Sequence, residues 1–330
     1  MASRLLRAAV ACLLTCGALG ASASFTSITV FGDDYSDGGN VSLRTVGSFP
    51  PSPPYAQRFS NGPVAVEYLA TGLGLPLTPS VGGGSNYAFG GAETGSDNYL
   101  RFPYPSFAVP LANTGTQAQV NGFLSALPPG FGGPSSLVVL WAGVNDLYSA
   151  PWLSTPLPDA AAAAVGRLMQ QVQLLYGAGA RRVVLPGMLD LGLLPGIAAL
   201  GSTQAQALTG VALAFNTALH QAVINLEPAL PGLDIIEFDS FGLLDQIVAD
   251  PSASGFTNVT DPCLSSTICA DPNSYLFWDS VRFTTYGHEV FGAAMLKALA
   301  SGGTAPEPPM ALLLMGGAIG LLVARRVRAH

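Results

Sequence analysis

"FGDDYSDGGN" (31–40) follows the β-branched run "SITV", and the chain turns sharply just after Gly32. Such a run ending in a Gly-Asp turn reads as the first strand of a sheet, placed at "SITVFGD" (27–33). Three further runs share its character: "SLVVLWAGVND" (136–146), "RRVVLPGM" (181–188) and "LDIIEFD" (233–239). Each is apolar almost without interruption, as a parallel strand covered on both faces must be. Helical patterns alternate with them, at 158–180 and at 202–226, the latter with Thr, Gln and Asn scattered along an apolar face. This alternation defines an α/β fold with a central parallel sheet. Between the first two strands, residues 41–135 are rich in Gly, Pro, Ser and aromatics and read largely as loop, the usual location of binding residues.

The chain has 330 residues, and both ends carry the marks of processing signals. Arg4 and Arg7 precede the apolar run "AAVACLLTCGALG", and Ala21 and Ala23 occupy small-residue positions, so residues 1–23 are expected to be a secretory signal peptide cut before Ser24. Cys16 raises a lipoprotein signal as an alternative, but Leu14 and Thr15 make a poor lipobox. At the other end, Pro306, Glu307 and Pro308 lead into an apolar segment (310–324) and then Arg325, Arg326 and Arg328. The segment is short for a span of about 20 apolar residues, and the basic cluster after it would stay cytoplasmic. This tail (304–330) resembles the PEP-CTERM sorting signal, which implies an exosortase-type processing enzyme as partner and a Gram-negative cell. It implies an exported protein of the envelope or extracellular matrix, transiently anchored in the inner membrane. A simple C-terminal anchor is the alternative. The expected folded domain is 24–303, with membrane contact only through the C-terminal segment.

Five of the thirteen basic residues lie in these tails, leaving eight against nineteen acidic ones in the body. An acidic body without clustered Lys and Arg excludes nucleic acid as a partner. Cys263 and Cys269, in "DPCLSSTICADP", are expected to form a disulfide in an oxidising compartment. With only His220 and His288 in the body, a metal site is not expected.

In parallel sheets ligands bind beyond the C-terminal strand ends, where four stretches should converge. They are "FGDDYSDGGN", "NYAFGGAETG" (86–95), "AGVND" (142–146) and "YLFWDSVRFTTYGHEV" (275–290). Their order and wording, with "FSNGPVAVEYLA" (59–70), resemble the SGNH/GDSL hydrolases, lipases and esterases of flavodoxin-like, three-layer sandwich fold. The resemblance runs from about Phe31 to Leu299 and implies no cofactor. It maps Gly90 and Asn145 onto the oxyanion donors and Asp279 onto the acid of the triad. The reacting positions depart from the pattern: Asp34 stands at the nucleophile slot and Arg282 at the base slot. A carboxylate is not the hydroxyl that a base activates, and its charge opposes an oxyanion. A guanidinium stays protonated and cannot act as a base.

The two changes carry opposite charges, so an Asp34–Arg282–Asp279 ion network is expected in place of the triad. Ser36 reads as a hydrogen-bonding turn residue, and His288 as a half-buried structural histidine on the last helix. Asp33 and Asp37 are expected to cap backbone amides of the turn, as is Asp146 at the end of its strand. Trp141, Trp152 and Trp278 are expected in core or rim packing rather than as a sugar platform. The resulting expectation is a catalytically degenerate family member with a retained pocket for an acylated polysaccharide, glycan or lipid ester. The alternatives are an ester hydrolase with an unrecognised nucleophile and base, and a purely structural envelope protein.

Overall fold

A computed structural model describes residues 25–301; the signal peptide and sorting signal expected from the sequence lie outside the described residues. Six strands occur in it: β1 (Ser27–Gly32), β2 (Gly133–Trp141), β3 (Ala180–Pro186), β4 (Asp234–Phe238), β5 (Asn258–Pro262) and β6 (Tyr275–Phe277). Nine helices accompany them: α1 (Asn40–Arg44), α2 (Ala65–Gly72), α3 (Thr116–Ser125), α4 (Val144–Ser149), α5 (Leu157–Gly177), α6 (Pro195–Ala198), α7 (Ser202–Leu226), α8 (Ser240–Ala249) and α9 (Thr285–Ala300).

The main sheet is parallel, in the order β1-β2-β3-β4. On the free edge of β1 the chain at 85–89 runs alongside in parallel. The Val30 amide donates to Ser85 O (3.0 Å), and Val30 O and Gly32 O accept from the Tyr87 (2.7 Å) and Phe89 (3.1 Å) amides. Counted as the second strand in chain order, this segment completes the flavodoxin-like order 2-1-3-4-5. Its topological switch point falls between β1 and β2, and Asp34 sits at that point. The fold is therefore a flavodoxin-like α/β fold with a central parallel sheet, as expected from the sequence.

Helices cover both faces. α5 packs on α7 on one side, and α2 packs on α9 on the other. The β-branched and aliphatic strand residues between them are buried without alternation: Val30, Val138, Val139, Val183 and Ile236 are at most 1% exposed. A second small core, Val41, Phe59, Phe89, Ala92, Leu100 and Leu111, lies beneath the long excursion between β1 and β2.

Some elements differ from the sequence expectation. The strand expected over 136–146 stops at Trp141, because Gly143 takes a φ of +134° and starts α4. The segment 41–135 contains α1, α2 and α3 as well as loop. α2 starts where the Glu67 carboxylate accepts the Val64 amide (2.9 Å), and α3 seats Phe123 edge-on against Phe31 of β1 (centroids 5.4 Å apart). Neither helix is long enough for a strong 3.6-residue periodicity.

His288, expected half-buried, is completely buried on α9. Its Nδ1 accepts the Ala65 amide (3.2 Å), which ties α9 to α2, and burial pushes the imidazole pKa down to about 3. The folded protein therefore takes up this proton only near pH 3, whereas the unfolded chain takes it up near 6.5. His288 accordingly costs no stability above about pH 6.5 and progressively more below it, by about 1.4 kcal/mol per pH unit. In urea unfolding at pH 7.5 and 4.5, the wild type is expected to lose about 3 kcal/mol more than a His288→Asn variant, in which other titrating groups cancel. Equal losses in the two proteins would contradict the neutral, buried imidazole.

Candidate active site

The turn after β1 is built by Asp37. Its carboxylate accepts four backbone amides, from Gly39 (2.7 Å), Asn40 (2.6 Å), Val41 (3.2 Å) and Gly90 (2.9 Å). Asp33 caps the Tyr35 amide (3.2 Å), and burial, with the neighbouring Asp34 charge, raises its carboxyl pKa well above the ordinary range. Asn40 donates to Asn86 O (2.7 Å) and Ala88 O (2.8 Å), and the Gln119 side chain grips Gly32 N and O (both 2.9 Å). Together these bonds clamp the glycine-rich segment 86–91 beside the end of β1.

Gly90 and Gly91 are required for different reasons. A Cβ on Gly90 would collide with the Phe59 ring, and Gly91 has a φ of +78°. The backbone donor facing Asp34 belongs to Gly91, whose amide reaches Asp34 Oδ2 (2.7 Å). The Gly90 amide, expected to face the site, is committed to Asp37 instead. A Gly-Gly pair leaves this ambiguous in sequence, because it does not show which amide points inward.

Asp34, Arg282 and Asp279 form one network. Asp34 Oδ1 accepts from Arg282 Nε (2.8 Å) and Nη2 (2.6 Å), and Arg282 Nη1 donates to Asp279 Oδ2 (3.0 Å). Asp279 Oδ1 in turn accepts the backbone amides of Val281 and Arg282 (both 2.9 Å), which fixes the loop carrying the arginine. Tyr55 donates to Asp279 Oδ2 (2.8 Å), and the guanidinium carbon lies 4.6 Å from the Phe59 ring centroid. Burial opposes the guanidinium charge, but the two carboxylates outweigh it and raise its pKa. Tyr55 carries no motif that would have singled it out in the sequence, and Phe59 opens the quoted stretch 59–70 without any sign there of its contact with Arg282.

The remaining bond to Asp34 comes from Asn145, whose Nδ2 reaches Oδ2 at 3.2 Å. Asn145 sits on the first turn of α4 rather than on the strand expected. Asp146, also expected at a strand end, is buried on the same helix. It accepts the Thr94 amide (2.8 Å) and hydroxyl (2.7 Å) and pairs with Arg167 (2.6 Å), bracing α4 against the segment after Gly91. Asp34 Oδ2 thus receives one backbone amide and one carboxamide N–H. In a hydrolytic site such converging donors would receive a substrate oxyanion. Here a resident carboxylate takes them.

Beside the network lies a cleft of about 270 Å³, walled by Asp34, Tyr35, Tyr99, Leu100, Pro103, Tyr104, Val144, Asn145, Tyr148, Ser280, Val281 and Arg282. Ser36 is completely buried and does not reach it. Neither described histidine lines it: His288 is in the core, and His220 pairs with Glu237 (2.9 Å). The tryptophans divide: Trp141 and Trp278 are 3% and 2% exposed, whereas Trp152 is 58% exposed. Outside the cleft, Cys263 and Cys269 form the expected disulfide.

The turn after β1, the glycine segment and the Asn-bearing helix α4 thus meet at the C-terminal end of a parallel sheet. The GDSL-like Lipase/Acylhydrolase family model matches residues 28–295, and the chain belongs to that family. Among similar curated proteins are two GDSL esterase/lipases of Arabidopsis thaliana. One is 29% identical, covering 84% of this chain and 85% of the relative; the other is 26% identical, covering 82% and 88%. Among solved structures, an acetylxylan esterase from Geobacillus stearothermophilus aligns over 84% of this chain and 95% of its own, at 13% identity and a TM-score of 0.43.

Proposed function

We propose that this chain is an exported GDSL-family protein that has exchanged ester hydrolysis for ligand binding. The observation that carries the reading is the position of the Asp34 carboxylate. It accepts the Gly91 and Asn145 donors with one oxygen and the Arg282 guanidinium with the other. A substrate carbonyl would have to displace a charged, hydrogen-bonded group to reach those donors, and a developing oxyanion would be repelled by it. Arg282 holds its proton and cannot accept one. An aspartyl ester, if formed, would still need a base to activate water, and neither of the described histidines lines the cleft.

Export rests on the sequence of the two ends. Residues 1–23 have the layout of a secretory signal, and 304–330 resemble a PEP-CTERM signal processed by an exosortase-type enzyme. In that setting the protein resides in the envelope or matrix of a Gram-negative cell, and the cleft holds an acylated polysaccharide, glycan or lipid ester. A fluorophosphonate probe, which labels serines activated by a base, separates this reading from an active hydrolase. Incubated with the purified protein, it is expected to leave every serine unlabelled. Labelling of Ser280 on the cleft wall, or of Ser36, would favour an active enzyme with an unforeseen base.

A further inference from the structure

We propose that the outward surface of α5 and α7, in the helical layer opposite α2 and α9, is the contact surface for a second copy of this chain. The layer is distinguished first by its charge. α3, α5 and α7 have 10, 21 and 25 residues, and Asp159 and Arg167 of α5 are the only Asp, Glu, Lys or Arg among them. Asp159 sits in the first turn of α5, and Arg167 is paired with the buried Asp146 (2.6 Å). The body as a whole carries nineteen acidic residues against eight basic ones. The cleft wall draws no residue from α3, α5 or α7, so the proposal is independent of what the cleft holds.

A surface helix ordinarily sets a charged face against water, and a strongly apolar one is covered. α7 has the length and composition of a covered helix, yet only 22% of its apolar 18-residue window is buried. Leu174 of α5 and Leu213 and Ile224 of α7 are 39%, 49% and 47% exposed. The surface around them is dented. A Cβ on Gly166 or Gly210 would meet nothing within 4 Å, and the exposed Ala163 and Ala214 lie one turn away on the same helix faces. A patch that holds both projecting aliphatic chains and open dents can fit a copy of itself, as a two-fold contact requires.

Area and charge select the occupant. At the helical rise α7 is about 37 Å long, and two packed helices, each about 10 Å wide with axes about 9 Å apart, offer roughly 700 Å² per copy. A stable interface of standard size buries about 800 Å² per partner, so the two helices together approach it and α7 alone does not. Copies of so acidic a body repel one another over most of their surface, and least where the layer carries no unpaired charge. Interface cores show the same depletion of charge. A lipid surface is matched less well, because an interfacial helix carries Lys or Arg on its polar face and Trp or Phe on its apolar one. No exposed residue of α5 or α7 is any of these.

Sedimentation velocity provides the test, with the purified full-length chain in a nonionic detergent that keeps the apolar segment 310–324 dispersed. A particle of twice the mass of one chain is expected at micromolar concentration. Ala163→Glu/Ala214→Glu sets like charges on both copies and should raise the dissociation constant at least 100-fold. Leu213→Gln/Ile224→Gln, a milder change at exposed positions, should raise it at least tenfold, with circular dichroism showing that both variants stay folded. Ala293→Glu, at an exposed position of α9 in the opposite layer, should leave it unchanged. A monomeric natural protein, a dimer that survives both double variants, or an equal loss in Ala293→Glu would overturn the proposal. Flotation with phosphatidylcholine vesicles identifies the other occupant. A monomer whose flotation falls in Ala163→Glu/Ala214→Glu would assign the layer to a lipid surface and overturn the proposal equally.

Discussion

Replacing Arg282 with alanine is expected to destabilise the fold by about 3 kcal/mol. The change leaves the buried Asp34 and Asp279 carboxylates without their shared cation, and removing one member of a buried pair typically costs about 3–5 kcal/mol. The lower end applies because the Arg282 side chain keeps 20% of its exposure and water can reach part of the gap. Asp34 retains the Gly91 and Asn145 donors, and Asp279 retains Tyr55 and two backbone amides, so neither carboxylate is stripped entirely. Adding Asp34→Asn to Arg282→Ala removes the more buried of the two unpaired charges and is expected to restore about half of the loss. Urea unfolding of the single and double variants measures both effects. A single-variant cost of about 0.5 kcal/mol or less would place the pair with weak surface salt bridges instead.

The second large effect is a gain. In the double variant Asp34→Ser/Arg282→His, a hydroxyl replaces the carboxylate that occupies the Gly91 and Asn145 donors, which frees them for a substrate oxygen. The imidazole at 282 then has Asp279 at hand to orient it, since that carboxylate already contacts the Arg282 side chain and backbone. A positioned general base contributes roughly 10²–10⁴-fold. An ester hydrolysis rate at least 100-fold above that of the natural protein is therefore expected. Asp34→Ser alone should stay silent, because Arg282 cannot take the serine proton.

Much of this was legible in the sequence because the strands are continuously apolar and the turns are marked by Gly and Asp. The four strands of the main sheet appear close to their expected places, and Asp34, Arg282 and Asp279 meet as the charge pattern led one to expect. The misreadings share a physical origin: local sequence does not show direction or burial. "LWAGVND" is apolar enough to continue a strand, and only the positive φ at Gly143 converts its end into a helix. Gly90 and Gly91 look equivalent until their backbone angles and neighbours separate them. His288 reads as a half-buried histidine, yet its complete burial is decided by α2, more than two hundred residues earlier in the chain. Tyr55 acquires meaning only from a contact made across the fold.

The most direct measurement is hydrolysis of short and medium p-nitrophenyl esters by the purified natural protein beside Asp34→Ser/Arg282→His. A silent natural protein with an active double variant is the predicted result, and it would locate the loss of chemistry in these two side chains alone. Clear hydrolysis by the natural protein, abolished in the double variant, would contradict the reading and make Asp34 and Arg282 participants in the reaction.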